Sequence, residues 1–143
     1  MIDRIDPTID FDCCIDQIGQ TGKSTQKVSD YYGVRWTGKI KVPTSELYTF
    51  YITADDSAVV YLNHSLLLDT RGSVGVEFRS QVLLRKSVYY DLLINFTEVT
   101  GAASVRLSYS SNSIKKQVVP SSVLFYSLPV VGSPFTASVI SGK

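Results

Sequence analysis

Apolar and polar residues alternate with a period of two along most of this chain. In ELYTFYITA (46–54), Tyr48, Phe50 and Ile52 fall on one side, and Thr49, Tyr51 and Thr53 on the other. Successive side chains of a strand point to opposite faces, so the segment predicts a strand with one face in a core. SVYYDLLINFTE (87–98) puts Val88, Tyr90, Leu92, Ile94 and Phe96 on one face and Asp91, Asn95 and Thr97 on the other. ASVRLSYS (103–110) places Val105, Leu107 and Tyr109 inward and Ser104, Arg106 and Ser108 outward. GVRWTGKIKV (33–42), AVVYLN (58–63) and SVGVEFRSQVLL (73–84) add further strands. Val, Tyr, Phe, Thr and Ile dominate these segments, turn residues recur between them, and no useful window shows a 3.6-residue period. The pattern predicts an all-β antiparallel sandwich or barrel. Its expected core includes Trp36, Tyr48, Phe50, Ile52, Leu92, Ile94, Phe96 and Leu107.

The flanking segments read differently. The opening IDRIDPTIDFD interleaves Ile with Asp, which suits an edge strand kept from aggregation by charge. Asp10 and Asp12 within it are a weaker candidate cation site. GQTGKSTQKVSD (19–30) is a polar loop that lacks the Gly-x-x-x-x-Gly-Lys-Ser/Thr spacing of a phosphate loop. SLPVVGSPFTASVISGK (127–143) is set apart by Pro129, Gly132 and Pro134, and FTASVIS within it predicts one more strand. The expected organisation is a β-sandwich over 1–127 and a tail strand in 128–143.

Composition narrows the function. The 143 residues suit one domain with a core of its own. Fourteen Lys and Arg against 13 Asp and Glu argue against an electrostatic nucleic-acid binder. No apolar run is long enough to span a bilayer as a helix, so membrane insertion is not expected. The start lacks the regions of a signal peptide, as befits an intracellular chain or a piece of a longer one. Cys13 and Cys14 are neighbours, and a bond between them would be strained, so they read as one buried and one exposed thiol. The one histidine, His64, lies in a predicted turn with no evident orienting group. No nucleophile–base device and no four-ligand zinc site can be assembled, and no enzymatic activity is expected. What remains is the doublet Asp55-Asp56, where a strand ends. Two adjacent carboxylates are either a solvated corner whose side chains serve the turn or ligands of a hard cation, for which Ca²⁺ is the natural choice.

The order of these segments resembles the PA14 domain over about residues 5–126. Val34, Arg35, Trp36 and Gly38 match its first motif, Tyr48, Thr49 and Phe50 its second, and Asp55 and Asp56 its paired aspartates. YYDLLINFTEVTGAASVRLSY and the closing VVPSSVLFY match its later strands. The resemblance implies a PA14-type β-sandwich. It further implies that Asp55, Asp56 and Glu98 bind Ca²⁺, with Asp55, Asp56, Thr100 and Ala102 forming the ligand site, and that the Asp55–Asp56 peptide is cis. Departures are Ser57 for glycine, Asn63-His64 for Asp-Gly, Asp91 for proline, Tyr109 for tryptophan, and Glu98 where related adhesins carry Asn. The tail GSPFTASV (about 132–140) resembles the last strand of a filamin-type immunoglobulin repeat.

The function so implied is a non-enzymatic, Ca²⁺-dependent carbohydrate-binding adhesion module of a larger cell-surface or secreted protein, with a glycan or protein as partner. The rival is a structural, protein-binding spacer module without metal or sugar. A hydrolase accessory domain is a third reading. The triplets Asn63-His64-Ser65 and Asn95-Phe96-Thr97 are candidate N-glycosylation acceptors.

Overall fold

A computed structural model describes residues 2–11, 32–98, 103–125 and 135–141. Cys13, Cys14, Asp12, the polar loop at 19–30, Thr100 and Ala102 lie outside the described residues. Twelve strands are described: β1 (Ile2–Asp6), β2 (Asp10–Phe11), β3 (Tyr32–Ile40), β4 (Glu46–Asp55), β5 (Ser57–Leu62), β6 (Ser65–Asp69), β7 (Phe78–Leu84), β8 (Tyr90–Glu98), β9 (Ser104–Ser110), β10 (Gln117–Val118), β11 (Leu124–Phe125) and β12 (Phe135–Ser141). A 3₁₀ turn, Ser121–Val123, precedes β11.

The strands form two antiparallel sheets. The larger runs β1-β12-β3-β8-β5-β6, with β11 also on β3; the smaller runs β10-β9-β4-β7, with β2 on β9. Alternation explains why the sheets stack. Tyr48, Phe50 and Ile52 of β4 face Trp36 of β3 and Leu92, Ile94 and Phe96 of β8, and all are essentially inaccessible to solvent. Every one of the eight expected core residues is buried. Phe50 and Tyr48 each pack on Tyr109, with centroids 6.0 and 5.6 Å apart, and Trp36 stacks on Phe11 at 5.9 Å. No helix among the described residues is long and apolar enough to cross a membrane.

Three expectations need correction. β8 starts at Tyr90, and Val88, assigned above to the core row, is 40% exposed in the connection before it. Only the second half of SVGVEFRSQVLL is strand: Val74 is exposed in a turn and Val76 in the irregular segment after it, and Gly75 has φ 72°. Asp6, read as a surface charge on an edge strand, is buried and accepts a 2.9 Å hydrogen bond from the Trp36 indole N–H. The indole carries one donor that must be satisfied inside the sandwich, and the short Asp6 side chain supplies the acceptor.

β1 does lie at an edge of the larger sheet. β12 sits between β1 and β3, pairing Thr136–Ser141 with Thr37–Tyr32. Residues 135–141 thus form part of the larger sheet.

Candidate functional site

The aspartate doublet lies where the chain crosses between sheets. β4 belongs to the smaller sheet and pairs Asp55 with Ser104; β5 belongs to the larger and pairs Ser57 with Thr97. Asp55 and Asp56 occupy the corner itself, and the peptide between them is cis. Backbone bonds pin the corner. The Asp56 N–H donates to the Thr97 carbonyl at 3.2 Å, and the Gly75 N–H donates to the Ala54 carbonyl at 2.9 Å. Two residues on, the Ala58 N–H donates to the fully buried Thr70 hydroxyl at 3.0 Å.

Glu98 closes the site from the opposite strand. It is the last residue of β8 and continues the inward row Leu92, Ile94, Phe96 to the end of the sandwich. Its side chain is buried, while Asp55 and Asp56 are half-buried. One carboxylate oxygen from each of the three residues lies within 4.8 Å of the others. Burial pushes the Asp55 carboxyl above its ordinary value, and the hydrogen bond and charge of Asp56 push it the same way. A cation between these groups would relieve that crowding.

The donor set fits Ca²⁺. All three donors are hard oxygens, and a shell with ligands about 2.3–2.6 Å from the ion spans up to about 5 Å between opposite donors. The observed oxygen spacing falls inside that span. The structure thus brings together the three residues assigned to a metal.

The other candidates are dispersed. Asp10 forms an ion pair with Arg106 at 2.8 Å. Asn63 is exposed in the β5–β6 turn, where Asn63 and His64 adopt φ 52° and 70°. Positive φ at both central residues is what a tight type I′ hairpin requires. This turn carries His64 to Asp91, with Nε2 2.9 Å from Oδ2, so the histidine does have an orienting group, contrary to expectation. No described nucleophile shares a hydrogen bond with His64, and the pair leads to the surface. Lys39 holds the same carboxylate, and its hydrogen bond, followed by its charge and that of His64, keeps Asp91 below the usual carboxylate range. Asn95 lies on the outer face and accepts a 3.0 Å hydrogen bond from Arg35 Nε.

Comparisons with known proteins identify the family. Residues 4–122 match the PA14 domain, and the chain belongs to that family. It is 37% identical over 123 residues to the anti-sigma-I factor RsgI3 of Acetivibrio thermocellus, which covers 85% of this chain and 18% of that protein. A solved anti-sigma factor domain-containing protein matches at 36% identity with a TM-score of 0.75, and one from Clostridium clariflavum at 30% and 0.73. Both cover nearly nine-tenths of this chain and 42% of theirs. The chain therefore spans a minor part of each of these relatives. The Epithelial Adhesin 6 A domain of Candida glabrata, solved with Galb1-3GlcNAc, has a TM-score of 0.64 at 18% identity, a likeness of fold alone.

These findings overturn the expectation of a Ca²⁺-dependent glycan-adhesion module. The relatives that share 30–37% identity are named anti-sigma factors, whereas the sugar-bound adhesins share only architecture. The rival reading, an interaction or spacer module within a larger polypeptide, agrees better with them. The filamin-type resemblance of residues 132–140 finds no support.

Proposed function

We propose that this PA14 domain is a non-catalytic protein-interaction module of a larger anti-sigma-factor-type regulator. The observation that carries the reading is the 37% identity to an anti-sigma-I factor, which extends over 85% of this chain. Such a module has no reaction to perform; its work is to present a rigid surface to a partner. The two stacked sheets and their closed aromatic core suit that work. A direct test deletes the domain from the polypeptide that carries it and follows a reporter dependent on the cognate sigma factor. A reporter response unchanged by the deletion refutes the reading.

We propose separately that Asp55, Asp56 and Glu98 hold Ca²⁺ as a brace. The three carboxylates within 4.8 Å of one another are the supporting observation. An ion there would link the β4–β5 crossover to the end of β8, and so one sheet to the other. The bound ion supplies positive charge and stiffness, not a reaction. A place outside the cell suits such a site, because extracellular Ca²⁺ modules work at about 10⁻⁴–10⁻³ M. Calorimetric titration of the domain with Ca²⁺ tests the brace. Wild-type protein should release or absorb heat, and Asp55→Asn with Asp56→Asn should not; a silent wild type rejects the site.

A further inference from the structure

The outer face of the larger sheet carries a feature separate from the acidic corner. Three neighbouring strands, β3, β8 and β5, enclose a groove of about 600 Å³ lined in part by Arg35, Thr37, Tyr61, His64, Asp91 and Leu93. The register arranges these side chains in rungs. Thr37, Leu93 and Tyr61 form a largely apolar rung across the three strands. Lys39 and Asp91 form the next rung on one side, and Arg35, Asn95 and Val59 the next on the other.

Charge on this face is unevenly compensated. Asp91 is satisfied twice, by Lys39 and by His64. Arg35 is held by its Nε on the amide oxygen of Asn95, and no described carboxylate forms an ion pair with it. That bond steadies the guanidinium and leaves the fork of its terminal nitrogens for another partner. Lys41, just past the end of β3, follows Arg35, Thr37 and Lys39 at every second position. Its Nζ lies 4.9 Å from the Tyr89 ring centroid and 5.7 Å from that of Phe125, and no described carboxylate pairs with it. Tyr89 is 51% exposed and meets Phe125 edge-on at 5.3 Å. The face therefore presents two cations six positions apart, with Tyr, Leu and Phe side chains around and between them. At about 3.3 Å per extended residue, the backbone positions that carry them are about 20 Å apart. Arginine and tyrosine are the residue types that interface centres favour.

We propose that this face docks an extended acidic protein segment. Its carboxylates are spaced about six residues apart to meet Arg35 and Lys41, and apolar residues between them lie over Leu93 and Tyr61. The proposal rests on the reading of the domain as a protein-interaction module, and it is independent of the proposed ion.

The test uses the isotopically labelled domain and the fluorescent peptide Glu-Thr-Leu-Thr-Leu-Thr-Glu, whose two glutamates and two leucines share one face when extended. The same peptide with lysine in place of glutamate and vesicles of phosphatidylglycerol are the controls. The acidic peptide should shift amide signals of residues 35–41, 59–61 and 89–95, and added salt should weaken it. Arg35→Ala and Lys41→Ala should each weaken it about threefold to tenfold, as loss of one charge-assisted contact does. Asp55→Asn should leave the affinity unchanged, which separates failure here from failure of the metal reading. Circular dichroism would confirm that each variant keeps its sheets. The proposal is overturned if the acidic peptide does not bind, if the lysine peptide binds as well, if the shifts map elsewhere, or if the variant carrying both Arg35→Ala and Lys41→Ala binds like wild type. Binding to vesicles alone would equally overturn it, in favour of an anionic lipid surface.

Discussion

Truncating Phe50 to alanine tests the assignment of faces most directly. Phe50 lies at the middle of β4, fully buried, and packs on Tyr109. β4 has a partner on each side, since β9 pairs Phe50 with Tyr109 and β7 pairs it with Ser80. A backbone held by two ladders cannot close over a void, so a cavity should persist. Phe→Ala in such a site costs about 3–5 kcal/mol, and the aromatic contact with Tyr109 argues for the upper half of that range. For a domain of this size each kcal/mol lowers the melting temperature by about 3–5 °C, which gives a fall of roughly 12–25 °C. The control is Tyr51→Ala, one residue along. Tyr51 faces outward, is half-buried and bonds the Ser110 hydroxyl at 2.9 Å, so its loss should cost about 1 kcal/mol. Urea unfolding followed by circular dichroism reads both. Equal losses at the two positions, or a loss below about 1 kcal/mol at Phe50, would refute the claim that alternation decides which side of β4 is core.

Three further outcomes follow from the same structure. Calcium at a hundred times its dissociation constant should stabilise the wild type by about 2.7 kcal/mol, read as a rise in melting temperature that chelator reverses and that Asp56→Asn abolishes. In chelator, Asp55 should make stability pH-dependent with a defined sign. Its carboxyl is raised above 3.8 by burial and by Asp56, so its contribution is fully present below that value and is lost as pH rises through the higher folded value. Asp55→Asn should therefore melt higher than wild type near neutral pH, with the difference shrinking in acid; a constant difference across a melting series would refute this. Asp6→Ala leaves the buried Trp36 N–H without its 2.9 Å acceptor and should cost about 1.5–3 kcal/mol in urea unfolding, with a change in tryptophan fluorescence.

The periodicity made the core readable because burial in a two-layer sandwich is decided strand by strand. Each apolar row on β4, β8 and β9 meets the opposite sheet whatever its neighbours are. It over-extended where an apolar residue stands just outside a strand, as at Val88 and Val74, since alternation carries no information on where pairing stops. Glu98 was half visible. It continues the inward parity of Leu92, Ile94 and Phe96, but only the family resemblance suggested that a carboxylate there would meet Asp55 and Asp56. Asp6 was missed because its neighbours read as an edge strand. The need of the Trp36 indole for an acceptor was the available signal. The groove on the outer face was not legible at all. Its rungs join residues 37, 93 and 61, and register between distant strands is what one sequence does not display.

The acidic corner and the outer groove share β8, and its pleat keeps them apart. Glu98 points inward at the end of the strand, and Asn95, which steadies Arg35, points outward three residues earlier, about 10 Å along the backbone. The corner connects instead to the strand ends: Glu98 pairs with Tyr32 of β3, and Tyr32 pairs with Ser141 of β12. An ion at the corner would brace that rung, whereas a peptide in the groove would lie across the rungs of Arg35, Thr37 and Lys39. Perturbations this far apart and on opposite faces add when they share no partner. Asp55→Asn combined with Arg35→Ala should thus lose calcium stabilisation and peptide affinity each by the amount of its own single variant. A double variant in which either loss exceeds its single value would show that β8 carries strain from one face to the other, and the two features would then have to be treated as one device.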